Sequence, residues 1–256
     1  MKQIPNLFTL MNLLFGCAAI VLALQTDTIV IYANDDLTSS FNIPEKIALA
    51  ALFLYAAALV DFLDGFLARL LKQGSEMGKQ LDSLSDVISF GVAPGVLFFQ
   101  LLRMSYMREE NGLDVSIFLL FPAFIFSAAA AYRLAKFNLD NTQQYGFKGV
   151  PTPAAGLLVA SLPLMLHYST GIPAVNEWVI NKYVLYGLIV VLSWLMVSNL
   201  PLMALKFKDY SFGNNKSKFL LAALAIVSAI FLHWLAVPIV FIAYIILSLA
   251  TKTNNA

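Results

Sequence analysis

Charge is scarce in this sequence. Only 12% of its 256 residues are Asp, Glu, Lys or Arg, against about 25% in an ordinary soluble domain. The formal net charge of +1 leaves no excess of basic residues to neutralise phosphates, so no nucleic-acid partner is expected. Cysteine is nearly absent. Cys17 stands alone in an apolar run, which excludes a disulfide framework and suggests a role in helix packing. The two histidines, His167 and His233, have no ligand-like neighbours in sequence. No small-residue cleavage site follows the first apolar run, so that run reads as a retained helix and not as a signal peptide. Internal repeats and low-complexity tracts are also lacking.

Apolar sequence fills the space these absences leave. Hydrophobic residues make up 60% of the chain, and the mean hydropathy is +0.78. Apolar segments fall at about 7–24, 47–71, 83–102, 115–137, 153–168, 183–205, 219–232 and 235–249. Most approach the roughly 20 residues that cross a hydrocarbon core, and lipid offers unpaired backbone groups no partners. The expected fold is therefore all-α: a polytopic integral membrane bundle of about eight transmembrane helices. Residues 1–210 read as its core and 211–256 as an appended C-terminal hairpin. With the N-terminus cytoplasmic, 12 of the 16 lysines and arginines fall on or near the inner side, and Lys46, Arg103, Arg108 and Lys182 fall outside. That asymmetry is the positive-inside pattern. Asn199-Leu200-Pro201 is expected to kink the sixth segment.

Against this background the stretch 61–91, DFLDGFLARLLKQGSEMGKQLDSLSDVISFG, stands out. Asp61 and Asp64 are three apart, and Asp82 and Asp86 four apart, so on helices each pair shares a face. Counted from Ile47, the first pair lies about 21 and 26 Å along its helix, in the inner third of a core of about 30 Å. The second pair opens the next helix from the same side. Carboxylates at such depth are costly unless paired, protonated or bound to a cation. Converging oxygens suit hard divalent ions such as Mg²⁺ or Mn²⁺, whose usual company is a phosphate or diphosphate. Gly65 leaves room for a nucleotide near the backbone, and Arg69 lies near the mouth, within reach of a phosphate or an acid.

Asp61, two residues, Asp64-Gly65, two residues, Ala68-Arg69, eight residues, Gly78, three residues, Asp82, three residues and Asp86 resemble, at every position, the signature of the CDP-alcohol phosphotransferase family. The resemblance implies a membrane enzyme that displaces CMP from a CDP-linked lipid with an alcohol. It implies that Asp61, Asp64 and Asp82 hold the metal, and that Asp86 is the general base and also touches a metal. Gly65, Ala68 and Gly78 match positions lining the nucleotide, Arg69 matches one near the phosphates, and Ser75 is a candidate contact for the cytosine. A homodimer is implied as well, and the small residues of 127–131 would permit close helix contact.

The acceptor is read from other stretches. PNLFTLMN at 5–12 is similar to the opening of the family's bacterial integral-membrane phosphatidylserine synthases. It makes Asn6 and Thr9 candidates for CDP-lipid binding, with Asn12 on the same helix stripe, although such residues near a helix start also serve as caps. AYRLAKFN at 131–138 and FKGVPTPAA at 147–155 resemble the same branch, with Lys136 where Arg is usual. Arg133, Lys136, Asn138 and Thr152 are the candidate serine contacts, although Arg133 and Lys136 also fit as positive-inside anchors. The expectation is phosphatidyl transfer from CDP-diacylglycerol to L-serine in the cell (inner) membrane, with the site facing the cytoplasm and membrane lipid around it. Two alternatives stand beside it: the same reaction with glycerol phosphate or inositol phosphate, or a divalent-cation carrier.

Overall fold

Helices form nearly everywhere the hydropathy predicts them. A computed structural model describes residues 4–25, 27–33, 36–43, 46–70, 75–108, 115–139, 147–168, 172–203 and 215–252. The elements are α1 (Ile4–Leu24), β1 (Asp27–Ala33), β2 (Asp36–Ile43), α2 (Ile47–Leu70), α3 (Glu76–Asp86), a π-helical turn (Val87–Val92) and α4 (Ala93–Tyr106). There follow α5 (Ile117–Leu120), α6 (Ala123–Leu139), β3 (Phe147–Lys148), α7 (Thr152–Tyr168), α8 (Pro173–Val179) and α9 (Lys182–Val197). Then β4 (Pro201–Leu202), α10 (Lys216–Leu232), a 3₁₀ turn (His233–Leu235) and α11 (Ala236–Lys252) complete the described elements.

Small residues set the packing. Ala19 and Ala23 of α1 are buried, as are Ala50, Ala51 and Ala57 of α2, so these two helices pack directly on each other. With no water to expel between helices in lipid, such close backbone approach is what holds them together. α2 packs in turn on α7, and α6 on α9. Large apolar side chains such as Leu14, Phe62, Phe118, Trp194 and Phe231 remain exposed, as a lipid-facing exterior requires. Cys17 is exposed among them and does not take the packing role its neighbours suggested. Ser127 donates to the Gly91 carbonyl at 2.9 Å and Ala130 is fully buried, so one face of the 127–131 stretch packs within the chain while Ala128 is exposed.

Among the described residues four helical stretches are long and apolar enough to cross a membrane: Asn6–Leu24, Ile47–Leu67, Glu76–Tyr106 and Lys216–Ala250. Pro173–Val179 and Lys182–Val197, meeting at 60°, make a fifth if they form one span. Helix length alone therefore does not reach the expected eight. Lys216–Ala250 has 35 residues, about 52 Å of helix. It does not run straight, because His233 takes φ 50° and α10 and α11 pack on each other across the turn.

Three local departures from the sequence reading have physical causes. Residues 27–33 and 36–43 form an antiparallel ribbon, β1 paired with β2, because Thr-Ile-Val-Ile-Tyr is rich in β-branched and aromatic residues. The third helix begins at Glu76 and not near residue 83, since Ser75 accepts a hydrogen bond from the Gly78 amide at 2.9 Å and caps its first turn. Asn199-Leu200-Pro201 does not kink α9. The helix stops at Val197, and Pro201–Leu202 pairs with Phe147–Lys148.

That pairing depends on Gly149, whose φ is +76°. A Cβ there would meet the Met196, Ser198 and Leu195 carbonyl oxygens at 2.5, 2.7 and 2.9 Å. The Gly149 amide donates to the Leu200 carbonyl at 2.8 Å and Val150 to that of Leu195 at 3.0 Å, which fixes the start of α7. Gly149→Ala is expected to destabilise the protein by roughly 1–3 kcal/mol. Gly187→Ala, where nothing lies within 4 Å of the added Cβ, should be neutral. Thermal unfolding of both variants in detergent checks this, and equal melting temperatures would remove the argument.

Candidate active site

Residues near the end of α2 and along α3 meet beside α1. Carboxylate oxygens of Asp61, Asp82 and Asp86 all lie within 4.8 Å of one another. Like charges about 4 Å apart repel by roughly 4 kcal/mol even at an effective dielectric near 20. Among the described residues no salt bridge neutralises the three. An all-oxygen donor set without an ion-pair partner is what a hard divalent cation requires, so these residues fit the metal that the sequence suggests. Asp64 is also buried, 7% exposed, but it turns toward α1, where Oδ2 accepts a hydrogen bond from Thr9 Oγ1. Its Oδ1 has no protein partner.

A polar seam along α1 holds this arrangement. Ser85 donates to the Thr9 carbonyl at 3.0 Å and Ser89 to the Asn12 carbonyl at 3.0 Å. Gly16 permits the approach, because a Cβ there would lie 2.9 Å from Ser89 Cα. Asn12, fully buried, points Nδ2 at Asp86 Oδ1, 3.4 Å away. Asn12 stood outside the candidate site residues, yet it approaches the proposed base. Its place on the Asn6, Thr9 and Asn12 stripe was the signal. Asn6 sits over the start of α3, where a Cβ on Gly78 would come within 3.0 Å of its Oδ1. The helix then passes directly from Asp86 into the π turn, a local widening frequent at functional sites.

Nothing lies within 4 Å of a Cβ placed on Gly65, so the backbone there is open to a ligand. The Ser75 hydroxyl is engaged as a helix cap. The side chains of Ala68 and Arg69 lie outside the described residues.

On the other side of the acids is a cavity of about 210 Å³ whose lining includes Asp82, Ser83, Asp86, Arg133, Asn138 and Pro151. Arg133 is only 6% exposed. Its Nη1 donates to Thr152 Oγ1 at 3.3 Å, its guanidinium lies 5.3 Å from the centre of the Phe137 ring, and its Nε is buried without a partner. Asn138 Nδ2 donates to Ser83 Oγ at 2.7 Å, and Thr152 is fully buried. Lys136 does not join them. It donates to Asn199 Oδ1 at 2.7 Å and to the Val197 carbonyl at 3.4 Å, clasping the end of α9. Ser83 was overlooked because it sits between two more conspicuous aspartates.

The chain belongs to the CDP-alcohol phosphatidyltransferase family, whose model matches residues 2–196. It is similar to proteins named CDP-diacylglycerol–serine O-phosphatidyltransferase from several organisms. The one from Helicobacter pylori is 32% identical over 202 residues, 77% of this chain and 70% of that protein. The one from Methanocaldococcus jannaschii is 35% identical over 140 residues, 54% of this chain and 58% of its own. That of Mycobacterium tuberculosis is 29% identical over 255 residues, 95% of this chain and 76% of its own.

Proposed function

We propose that this protein transfers the phosphatidyl group of CDP-diacylglycerol to the hydroxyl of L-serine, releasing CMP. The observation that carries the reading is that Arg133 and Asn138 line one cavity with Asp82 and Asp86, with Thr152 holding the Arg133 guanidinium from behind. The relatives' shared name agrees with it. A small acceptor bearing a carboxylate suits a buried guanidinium with one nitrogen unpaired, and a serine hydroxyl would then face Asp86. Family membership removes the carrier alternative.

Asp61, Asp64, Asp82 and Asp86 would hold Mg²⁺ or Mn²⁺, which when bound neutralises charge building on the diphosphate. Asn6, Thr9, Gly65, Ala68, Arg69, Ser75 and Gly78 form the proposed CDP-lipid side. Thr9 and Asn12 fix the Asp64 and Asp86 carboxylates. As the serine oxygen bonds to the lipid's phosphorus, the bond from that phosphorus to the CMP oxygen breaks, and Asp86 accepts the serine proton. Holding both reactants in one cavity supplies much of the acceleration. No covalent enzyme intermediate is needed, so inversion at phosphorus is expected.

The proposed topology has eight crossings, with the N-terminus and the acids on the cytoplasmic side of the cell membrane. Residues 1–210 form the core and 211–256 the hairpin. The proposed homodimer rests on the family resemblance. The test is incubation of purified protein with CDP-diacylglycerol, labelled serine and Mg²⁺ or Mn²⁺. Metal-dependent formation of labelled phosphatidylserine with stoichiometric CMP is expected. Metal-dependent CMP release without labelled lipid would assign a different acceptor, and glycerol phosphate and inositol phosphate would be tried next.

A further inference from the structure

A second cavity, about 490 Å³ in volume, lies between α7 and the C-terminal hairpin. Its walls include Ala154 and Leu157 of α7, Ala225 and Ala229 of α10, and Val240 of α11. The volume falls in the range of small-molecule sites, but these five side chains are apolar and leave the middle of the cavity nothing to orient a polar ligand. One end closes at His233 and Trp234, where Trp234 packs at a tilt against Tyr55 and Tyr168 with ring centres 5.2 and 6.3 Å away. The other end adjoins the site described above, because Pro151 lines both cavities, and Tyr244, whose hydroxyl donates to the Met203 carbonyl at 3.0 Å, stands on the facing wall.

We infer that this groove holds one acyl chain of CDP-diacylglycerol, with Tyr244 and Pro151 at the headgroup end and Trp234 at the methyl end. The inference rests on the lipid substrate proposed above, and it adds a part of the protein that the family match at 2–196 does not reach. A reactive diphosphate at the Asp61–Asp82–Asp86 cluster must have its tails leave toward lipid, and this groove adjoins the cluster's own cavity. Leu221, Ala225 and Ala229 repeat every four residues along α10, giving a stripe about 12 Å long that leads to His233 in the turn and runs parallel to an extended chain. Its alanines leave the width, and Trp234 sets the length. Since the chain is already in an apolar solvent, the groove gains little from the hydrophobic effect. Its contribution is orientation: it holds the glycerol end, and so the phosphorus, in line with the acceptor.

Two experiments test this. With Trp178 and Trp194 changed to Phe, Trp234 is the remaining indole. CDP-diacylglycerol brominated on its acyl chains should then quench its fluorescence saturably in detergent. Unbrominated CDP-diacylglycerol should reverse the quenching and phosphatidylcholine should not. This binding readout needs neither serine nor turnover, so it stands if the serine reading fails. Equal reversal by phosphatidylcholine, or no saturable quenching, would overturn the inference. In the second experiment, Ala225→Phe and Ala229→Phe fill the groove. The rate constant kcat/KM for dioleoyl CDP-diacylglycerol should fall about tenfold or more, while that for the dihexanoyl substrate stays unchanged. An equal loss on both substrates, or a change of oligomeric state without a change of chain preference, would also overturn it.

Discussion

Asp86→Asn is expected to lower kcat by about 10²–10⁴-fold while leaving CDP-diacylglycerol binding within a few-fold of wild type. The asparagine amide has nearly the shape of the carboxylate, and its oxygen can still accept the approach from Asn12 Nδ2, 3.4 Å from Asp86 Oδ1. What is lost is one negative charge and the capacity to take a proton. Asp61 and Asp82 would remain beside each other to hold a cation, with less mutual repulsion than in the trio. Asp82→Asn should behave differently, losing affinity for the metal and the CDP-lipid as well as rate. Equilibrium binding in the presence of Mn²⁺, measured beside single-turnover rates, separates the two variants. If Asp86→Asn turned over within tenfold of wild type, the proton would be going elsewhere and the base assignment would be wrong.

Much of the acid cluster was legible because helical spacing converts sequence into geometry. Residues three or four apart on one helix share a face, and the 78–86 stretch needed only to lie antiparallel to α2 for the two pairs to meet. The same rule shows its limit at Arg133 and Lys136. Three residues make about 300° of rotation, so the two side chains diverge by some 60°. At α6 that is enough to send one to Thr152 and the other to Asn199 at the end of α9. Which neighbour waits on each side is a tertiary fact. Asp64 teaches a similar lesson, since pairing with Asp61 in sequence did not stop Thr9 from drawing its carboxylate toward α1.

Other features had no strong periodic signal. The end of α9 depends on Gly149 adopting φ +76° against three carbonyl oxygens some 50 residues away. No local pattern around Asn199 encodes that contact. The ribbon at 27–43 was readable in its β-branched residues, but expecting helix or loop everywhere in a membrane protein obscured it. The groove against the hairpin owes its width to alanines such as Ala154, Ala225 and Ala229, which read in sequence as ordinary helix formers and gain meaning only from the space they leave.

The second large effect is expected at Arg133, on the acceptor side. Buried at 6% exposure, its side chain lines the same cavity as Asp86 and has a nitrogen without a partner. A substrate carboxylate binding there would complete both its hydrogen bonds and its charge balance. Truncating one member of a buried, hydrogen-bonded charge pair typically costs 2–5 kcal/mol, so Arg133→Met should raise the KM for serine by about 30-fold or more. Arg133→Lys keeps the charge but loses the planar fork, and should fall between. A purely structural arginine would depress every substrate alike, so the decisive comparison uses ethanolamine, which is serine without its carboxylate. Wild-type protein should prefer serine strongly, and Arg133→Met should lose that preference chiefly by losing serine, with the KM for CDP-diacylglycerol little changed. If the preference survived the substitution, the carboxylate would be recognised elsewhere, and the cavity beside Asp86 would need another occupant.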